Sequence, residues 1–253
     1  MARFNVEALR AKNDKSRDLL RTYDVKILFL RRWDASSKSP ATVLLFHGIT
    51  GYSEPYGRII ADYLSNSGFA VYGSDLRGHD LFDGTRGDYP SRPRNINDLM
   101  ETAYYVKERS EKLAVLGLSL GVFSAIAAEN SCRDKIDVLV LLSAAKKVKS
   151  IVYPKPTAGA LLKSLIGISI LRGSPLIEYR REVMTSVTDP LFNFSYSSRF
   201  YSVIYGSDAI AVLRMFKSGE IESLYLEFSE RLKIPLFMRV GEIYELFSDE
   251  SVK

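Results

Sequence analysis

Short, nearly continuous apolar runs recur along the chain, separated by stretches in which apolar residues return every three or four positions. Residues 24–33 read as an opening strand, residues 36–40 as a turn-rich break, and residues 41–46 as a continuous apolar strand. Residues 55–67 have helical spacing, with Ile59, Ile60, Tyr63 and Leu64 on one face and Gly68 as the stop. Residues 69–73 form the next strand, and Asn95 is placed to cap a helix running to Lys112. A further apolar run over residues 113–118 leads through a glycine-rich turn into the small, apolar helical segment 122–129. Residues 136–142 and 235–240 are two more buried strands. Buried strands alternating with helices predict the α/β class: a doubly wound, mostly parallel sheet, with ligands at the carboxyl ends of its strands.

Residues 148–231 interrupt that alternation. Within them, residues 157–171 are apolar nearly all round, yet too short to cross a bilayer. They read as a helix buried between an insertion and the core; the competing reading is a lid that meets a greasy substrate or a membrane surface. Phe192, Phe194, Tyr196, Phe200, Tyr201 and Tyr205 make the insertion strongly aromatic, as core residues first and pocket walls second. The expected organisation is a core of residues 1–147 and 232–253, with an inserted, mainly helical cap over residues 148–231.

The charge is uneven. The formal net charge is +5, and the first 40 residues carry ten Lys/Arg against five Asp/Glu, so the remainder is balanced. Residues 1–23 therefore read as a basic arm, solvated and partly helical, with peripheral contact to a membrane or other lipid surface left open. No zinc-finger spacing, phosphate-binding glycine loop or basic-aromatic platform is present, so nucleic acid is not an expected partner, and no metal or cofactor is implied. Cys132 is the sole cysteine, which rules out an internal disulfide and suits a reducing, cytoplasmic setting. The oligomeric state is open.

The candidate chemistry lies at Gly117-Leu118-Ser119-Leu120-Gly121, a G-x-S-x-G pattern set between a strand and a helix. That context is what a nucleophile elbow requires: a tight turn lifts the serine hydroxyl out of the sheet and points a helix N-terminus at the reaction centre. The pattern by itself also fits a buried serine on a glycine-rich turn. Other segments join it in order. They are His47-Gly48-Ile49 after the second strand, and Asp75-Leu76-Arg77-Gly78-His79-Asp80-Leu81-Phe82-Asp83-Gly84 after the third. Arg86-Gly87, Pro90-Ser91 and Ile234-Pro235 complete the set.

With these segments the chain resembles the α/β-hydrolase superfamily, and within it the branch of monoacylglycerol lipases and lysophospholipases. The resemblance covers about residues 24–145 and 232–250. It implies the α/β-hydrolase fold and a serine hydrolase cleaving a carboxylic or thio-ester of an apolar acyl chain, through an acyl-enzyme on Ser119. It also implies an oxyanion hole made by the backbone N–H groups of Ile49 and Leu120. By the same resemblance His47 shapes the oxyanion loop and His79 is structural.

The departures bear on activity. Tyr244 stands where the family places its acid, so Glu245, one residue further on, is the candidate acid by a one-residue shift. Asp80 and Phe82 replace the family's usual Gly and Ser. His47 and His79 are the only histidines, and the family's base is a histidine beyond the strand at 235–240. We expect the sequence to belong to a longer chain, with roughly 25 to 40 further residues forming a strand, a His-bearing loop and a helix. The alternative is a non-catalytic α/β-hydrolase-like domain that binds a small apolar ligand.

Overall fold

The structure is a computed structural model. It describes residues 16–36, 39–49 and 51–143, together with Arg10, 175–178, 195–197, 199–200 and 234–239. The strands are β1 (Arg17–Arg21), β2 (Ile27–Trp33), β3 (Thr42–Phe46), β4 (Ala70–Ser74), β5 (Leu113–Leu118), β6 (Val138–Leu142), β7 (Pro175–Glu178), β8 (Ser195–Ser197) and β9 (Leu236–Arg239). The helices are α1 (Ser53–Tyr56), which passes through a π-helical turn (Gly57–Ala61) into α2 (Asp62–Asn66), then α3 (Arg92–Lys107) and α4 (Gly121–Ser131).

Seven strands form one sheet in the order β1-β2-β4-β3-β5-β6-β9. The β1–β2 and β2–β4 pairs are antiparallel; every other pair in this sheet is parallel. Every residue of β3 is buried, because its alternate side chains serve two layers. Leu44 and Phe46 join Leu99, Val106, Val122 and Ile126 from α3 and α4 on one face. Val43 and Leu45 meet Ala61, Ile60, Leu64 and Trp33 on the other. Fully burying a leucine such as Leu44 stabilises the fold by about 1.5–3 kcal/mol. The chain winds from β3 to β4 on one side, then crosses to β5 on the other. Beyond the ends of β3 and β5 this reversal opens the crevice in which such sheets hold their ligands.

Several sequence expectations are corrected. The basic arm is not wholly solvated. Residues 17–21 form an edge strand paired with β2, and Arg10 is buried, donating from Nε and Nη2 to the Leu81 carbonyl at 2.9 and 2.6 Å. The run 24–33 becomes a strand only from Ile27, since Asp24 lies in the β1–β2 turn. The helix expected from Asn95 starts at Arg92. Ser91 is its cap, accepting from the Arg94 N–H, and Asn95 is buried within it. In the segment 55–67, Ile59 and Tyr63 are 66% and 73% exposed, while Ile60 and Leu64 face the sheet. The π-helical turn adds a residue there and rotates the apolar face away from the 3.6-residue expectation.

Within residues 148–231 the described pieces include β7 and β8, paired antiparallel as a separate two-stranded sheet. The apolar stretch 157–171 lies outside the described residues, as do Phe192, Phe194, Tyr201 and Tyr205. Tyr196 and Phe200 are fully buried. Among the described residues no helix is long and apolar enough to cross a membrane.

Candidate active site

Ser119 sits on the turn between β5 and α4 with φ at +52°. This left-handed conformation costs a side-chain-bearing residue roughly 1–2 kcal/mol and is held by its surroundings. The Ser119 N–H donates to the Leu142 carbonyl at the end of β6, at 2.9 Å. The flanking glycine is needed for close approach: a Cβ on Gly121 would collide with the carbonyl oxygens of Phe46 and His47, so only glycine lets α4 start directly above β3. The serine is half-buried.

The neighbouring strand supplies the facing wall. His47, Gly48 and Ile49 follow β3, and a Cβ placed on Gly48 would stand 3.2 Å from the Ser119 Cβ. The Gly51 N–H donates to the Gly48 carbonyl at 3.1 Å, closing a tight turn around Ile49. Among the described residues neither the Ile49 nor the Leu120 backbone N–H has a hydrogen-bond acceptor. Ile49 is partly exposed and Leu120 is buried at the foot of α4.

His47 is fully buried. Its Nδ1–H donates to the Gly48 carbonyl at 2.8 Å, and its Nε2 accepts from the Leu76 N–H at 3.0 Å. Burial pushes its pKa down, so the ring is neutral and acts as a brace between the β3 and β4 loops. His79 is the second brace. Its Nδ1–H donates to the Arg77 carbonyl at 3.1 Å and its Nε2 accepts from the Tyr196 hydroxyl at 3.0 Å. Burial, with the nearby His47 and Arg86, pushes it down to about 3. The two imidazole rings lie 5.0 Å apart.

Beneath the loops is a buried ionic cluster. Asp75 accepts from Arg31 Nη1 at 2.9 and 2.8 Å and from the backbone and hydroxyl of Ser53 at 2.9 and 2.6 Å. Arg31 also pairs with Asp80, which adopts φ +33°. Burial opposes the charge on both Arg31 and Asp75, but their mutual attraction wins, raising the guanidinium and lowering the carboxyl. Asp80, left-handed in its backbone, thus adds a second anion for Arg31. Sequence reading missed Arg31 and Ser53, since nothing in their spacing marks them as partners of Asp75.

The segment after β7 docks on the same loops. The Ser197 N–H donates to the Gly87 carbonyl at 2.9 Å, Ser197 Oγ donates to Asp88, and Arg199 Nε reaches Asp88 at 3.0 Å. Tyr196 stacks on Phe200 with ring centroids 4.0 Å apart. Glu245 and Tyr244 lie outside the described residues.

The comparisons with known proteins bear on the family and the fold. The family model described as serine aminopeptidase, S33, matches residues 37–210, more than half of the chain. The uncharacterized protein YnbC of Escherichia coli (strain K12) is 29% identical over 239 residues, covering 85% of this chain and 40% of the relative. An uncharacterized abhydrolase domain-containing protein of Dictyostelium discoideum is 34% identical over 80 residues, 32% of this chain and 8% of the relative. The chain thus spans less than half of either relative. Among solved structures, the monoacylglycerol lipase of Paleococcus ferrophilus superposes with a TM-score of 0.59 at 24% identity, covering 85% of this chain and 77% of that one. A soluble variant of the monoglyceride lipase of Saccharomyces cerevisiae gives 0.67 at 18% identity, covering 93% and 80%. From the sheet order, the turn at Ser119 and the family match together, the chain belongs to the α/β-hydrolase superfamily, in the serine aminopeptidase S33 family.

Proposed function

We propose that the protein is a serine hydrolase that cleaves a carboxylic or thio-ester of an apolar acyl chain. The observation that carries this reading is Ser119 at φ +52° on the β5–α4 turn, with the Ile49 turn packed against it. Ser119 Oγ attacks the acyl carbonyl carbon, and the bond to the leaving alcohol or thiol breaks as that group takes up the proton Ser119 loses. Water then attacks the acyl-enzyme and releases the acid. The Ile49 and Leu120 N–H groups are the proposed donors to the oxyanion, and Glu245 is the proposed acid. Residues 148–231 are the proposed lid over the acyl chain, and the names of the two lipase structures favour a lipid-like substrate. The lone Cys132 fits a cytoplasmic setting, and contact with a lipid surface fits the substrate class.

A fluorophosphonate probe tests the nucleophile. Peptide mapping should place the adduct on Ser119, and Ser119→Ala should abolish labelling. An adduct on another serine that survives Ser119→Ala overturns the assignment.

One observation favours a second reading. The two histidines of the chain are both buried with both ring nitrogens engaged, so neither serves as base for Ser119. The second reading is a domain that binds an apolar ligand without turning it over, with Ser119 left without a base. Turnover of p-nitrophenyl esters, lost in Ser119→Ala, separates the two.

A further inference from the structure

Tyr56 is the last residue of α1, and its hydroxyl reaches the serine site. It stands 3.2 Å from the point that a Cβ on Gly48 would occupy, and the Ser119 Cβ stands 3.2 Å from that same point. The hydroxyl and the serine Cβ are therefore at most twice that distance apart. The hydroxyl and the serine side chain thus border the same glycine. The Tyr56 ring also covers the turn that carries the Ile49 N–H: a Cβ on Gly51 would lie 3.0 Å from the ring edge and 3.3 Å from the hydroxyl.

The placement is built by the fold. Ser53, one turn earlier, is tied to Asp75 through its N–H and its hydroxyl, which fixes the start of α1. Gly57, the next residue, lies so close to the Trp33 ring that any side chain there would overlap it. The helix is thus pressed onto the sheet on both sides of Tyr56, and the π-helical turn begins immediately after it. Single π-helical turns inside α-helices are frequent at functional sites.

Resting on the proposed role of Ser119, we infer that the Tyr56 hydroxyl is a third hydrogen-bond donor to the oxygen that gains charge when Ser119 attacks. The backbone N–H groups of Ile49 and Leu120 are dipoles fixed by the loops. A phenol O–H adds a side-chain donor beside the Ile49 turn, and no proton is transferred. Tyr56 is then a catalytic residue, because it touches the reacting oxygen.

The test is the rate of fluorophosphonate labelling at saturating probe, since the phosphonyl oxygen occupies the oxyanion position. Tyr56→Phe keeps the ring on Gly51 and removes only the hydroxyl. The saturating rate should fall roughly 100-fold, as when one oxyanion donor is removed, while the probe concentration for half-saturation stays unchanged. Tyr56→His keeps a donor at the ring edge and should recover part of the loss. A fall smaller than about tenfold in Tyr56→Phe, or equal rates in the two variants, overturns the inference while labelled Ser119 stands. A wild-type protein that carries no adduct on Ser119 overturns the nucleophile reading, and this inference with it.

Discussion

Gly48 lies directly against Ser119, so close that a Cβ on it would stand 3.2 Å from the serine Cβ. The two residues are 71 positions apart and meet because β3 and β5 are neighbours in the sheet. A methyl group on Gly48 would press at once on the Ser119 Cβ at 3.2 Å, the Tyr56 hydroxyl at 3.2 Å and the Leu118 carbonyl at 3.3 Å. Gly48→Ala should therefore displace the serine and the Ile49 turn by a few tenths of an ångström. The expected outcome is a fall of roughly tenfold or more in the fluorophosphonate labelling rate, because misplacement costs rate more than stability. Urea denaturation should show a loss of only about 1–3 kcal/mol.

Gly121→Ala tests the other close approach. Its added carbon meets the backbone oxygens of Phe46 and His47, which cannot rotate away as a side chain can. The urea midpoint should fall by the equivalent of about 3 kcal/mol or more, the upper end of overpacking costs. A variant as stable as the wild type would show that α4 does not start where the structure puts it.

Arg31 and Asp80 should respond very differently to substitution. Arg31→Met leaves Asp75, which is fully buried, with no cation, and should cost about 3–5 kcal/mol. Asp80→Gly removes one of the two anions on Arg31 but relieves a positive φ, so the two effects offset to within about 1 kcal/mol. Paired denaturation curves check the contrast; equal losses would contradict the assignment of Asp75 as the principal partner.

Acid should weaken the fold through the buried imidazoles. His79 has a folded-state pKa of about 3 against an ordinary 6.5, so the unfolded chain binds the extra proton between those values. Its contribution is complete above about pH 6.5 and is lost as the pH falls toward 3. His47 is shifted in the same direction by burial. Asp98 acts oppositely: burial, against the pull of Arg77, raises it from 3.8 to about 6, so the folded state gains a proton there. His79→Gln should therefore flatten the stability profile between pH 4 and 6 by one proton, about 1.4 kcal/mol per pH unit. Urea midpoints across that range measure the difference, and parallel wild-type and variant profiles would refute it.

The parts of the fold legible in sequence are those whose signal is local. Strands β3, β5 and β6 are unbroken apolar runs because both faces of the sheet are covered, and the elbow around Ser119 announces itself by its two glycines. The edge strand β1 does not, since Arg-Asp-Leu-Leu-Arg is half polar and resembles a solvated arm. Its pairing with β2 depends on the 21–27 turn. The tilt of α1 and α2 is likewise hidden, because the π-helical turn shifts the periodicity that Ile59 and Tyr63 seem to follow. Tyr56 could not be singled out by spacing: its position follows from Gly57 meeting Trp33, a contact across 24 residues. The basis for choosing Ser91 over Asn95 as helix cap is also tertiary, since Asn95 ends up buried.

The docking of Tyr196, Ser197 and Arg199 on the loop after β4 bears on how this architecture can be altered. That loop is shared property. One side, through His79 and His47, sets the shape of the turn at Ile49; the other receives the inserted segment at Gly87 and Asp88. Replacing the inserted segment removes the phenol that His79 accepts from and the cation that Asp88 holds, unless the replacement supplies both. Such a replacement would disturb the loop after β4 and, through His79 and His47, the turn beside Ser119. Tyr196, Ser197 and Arg199 therefore form one mechanical unit with the loop 77–88, and an exchange that keeps the fold has to carry both.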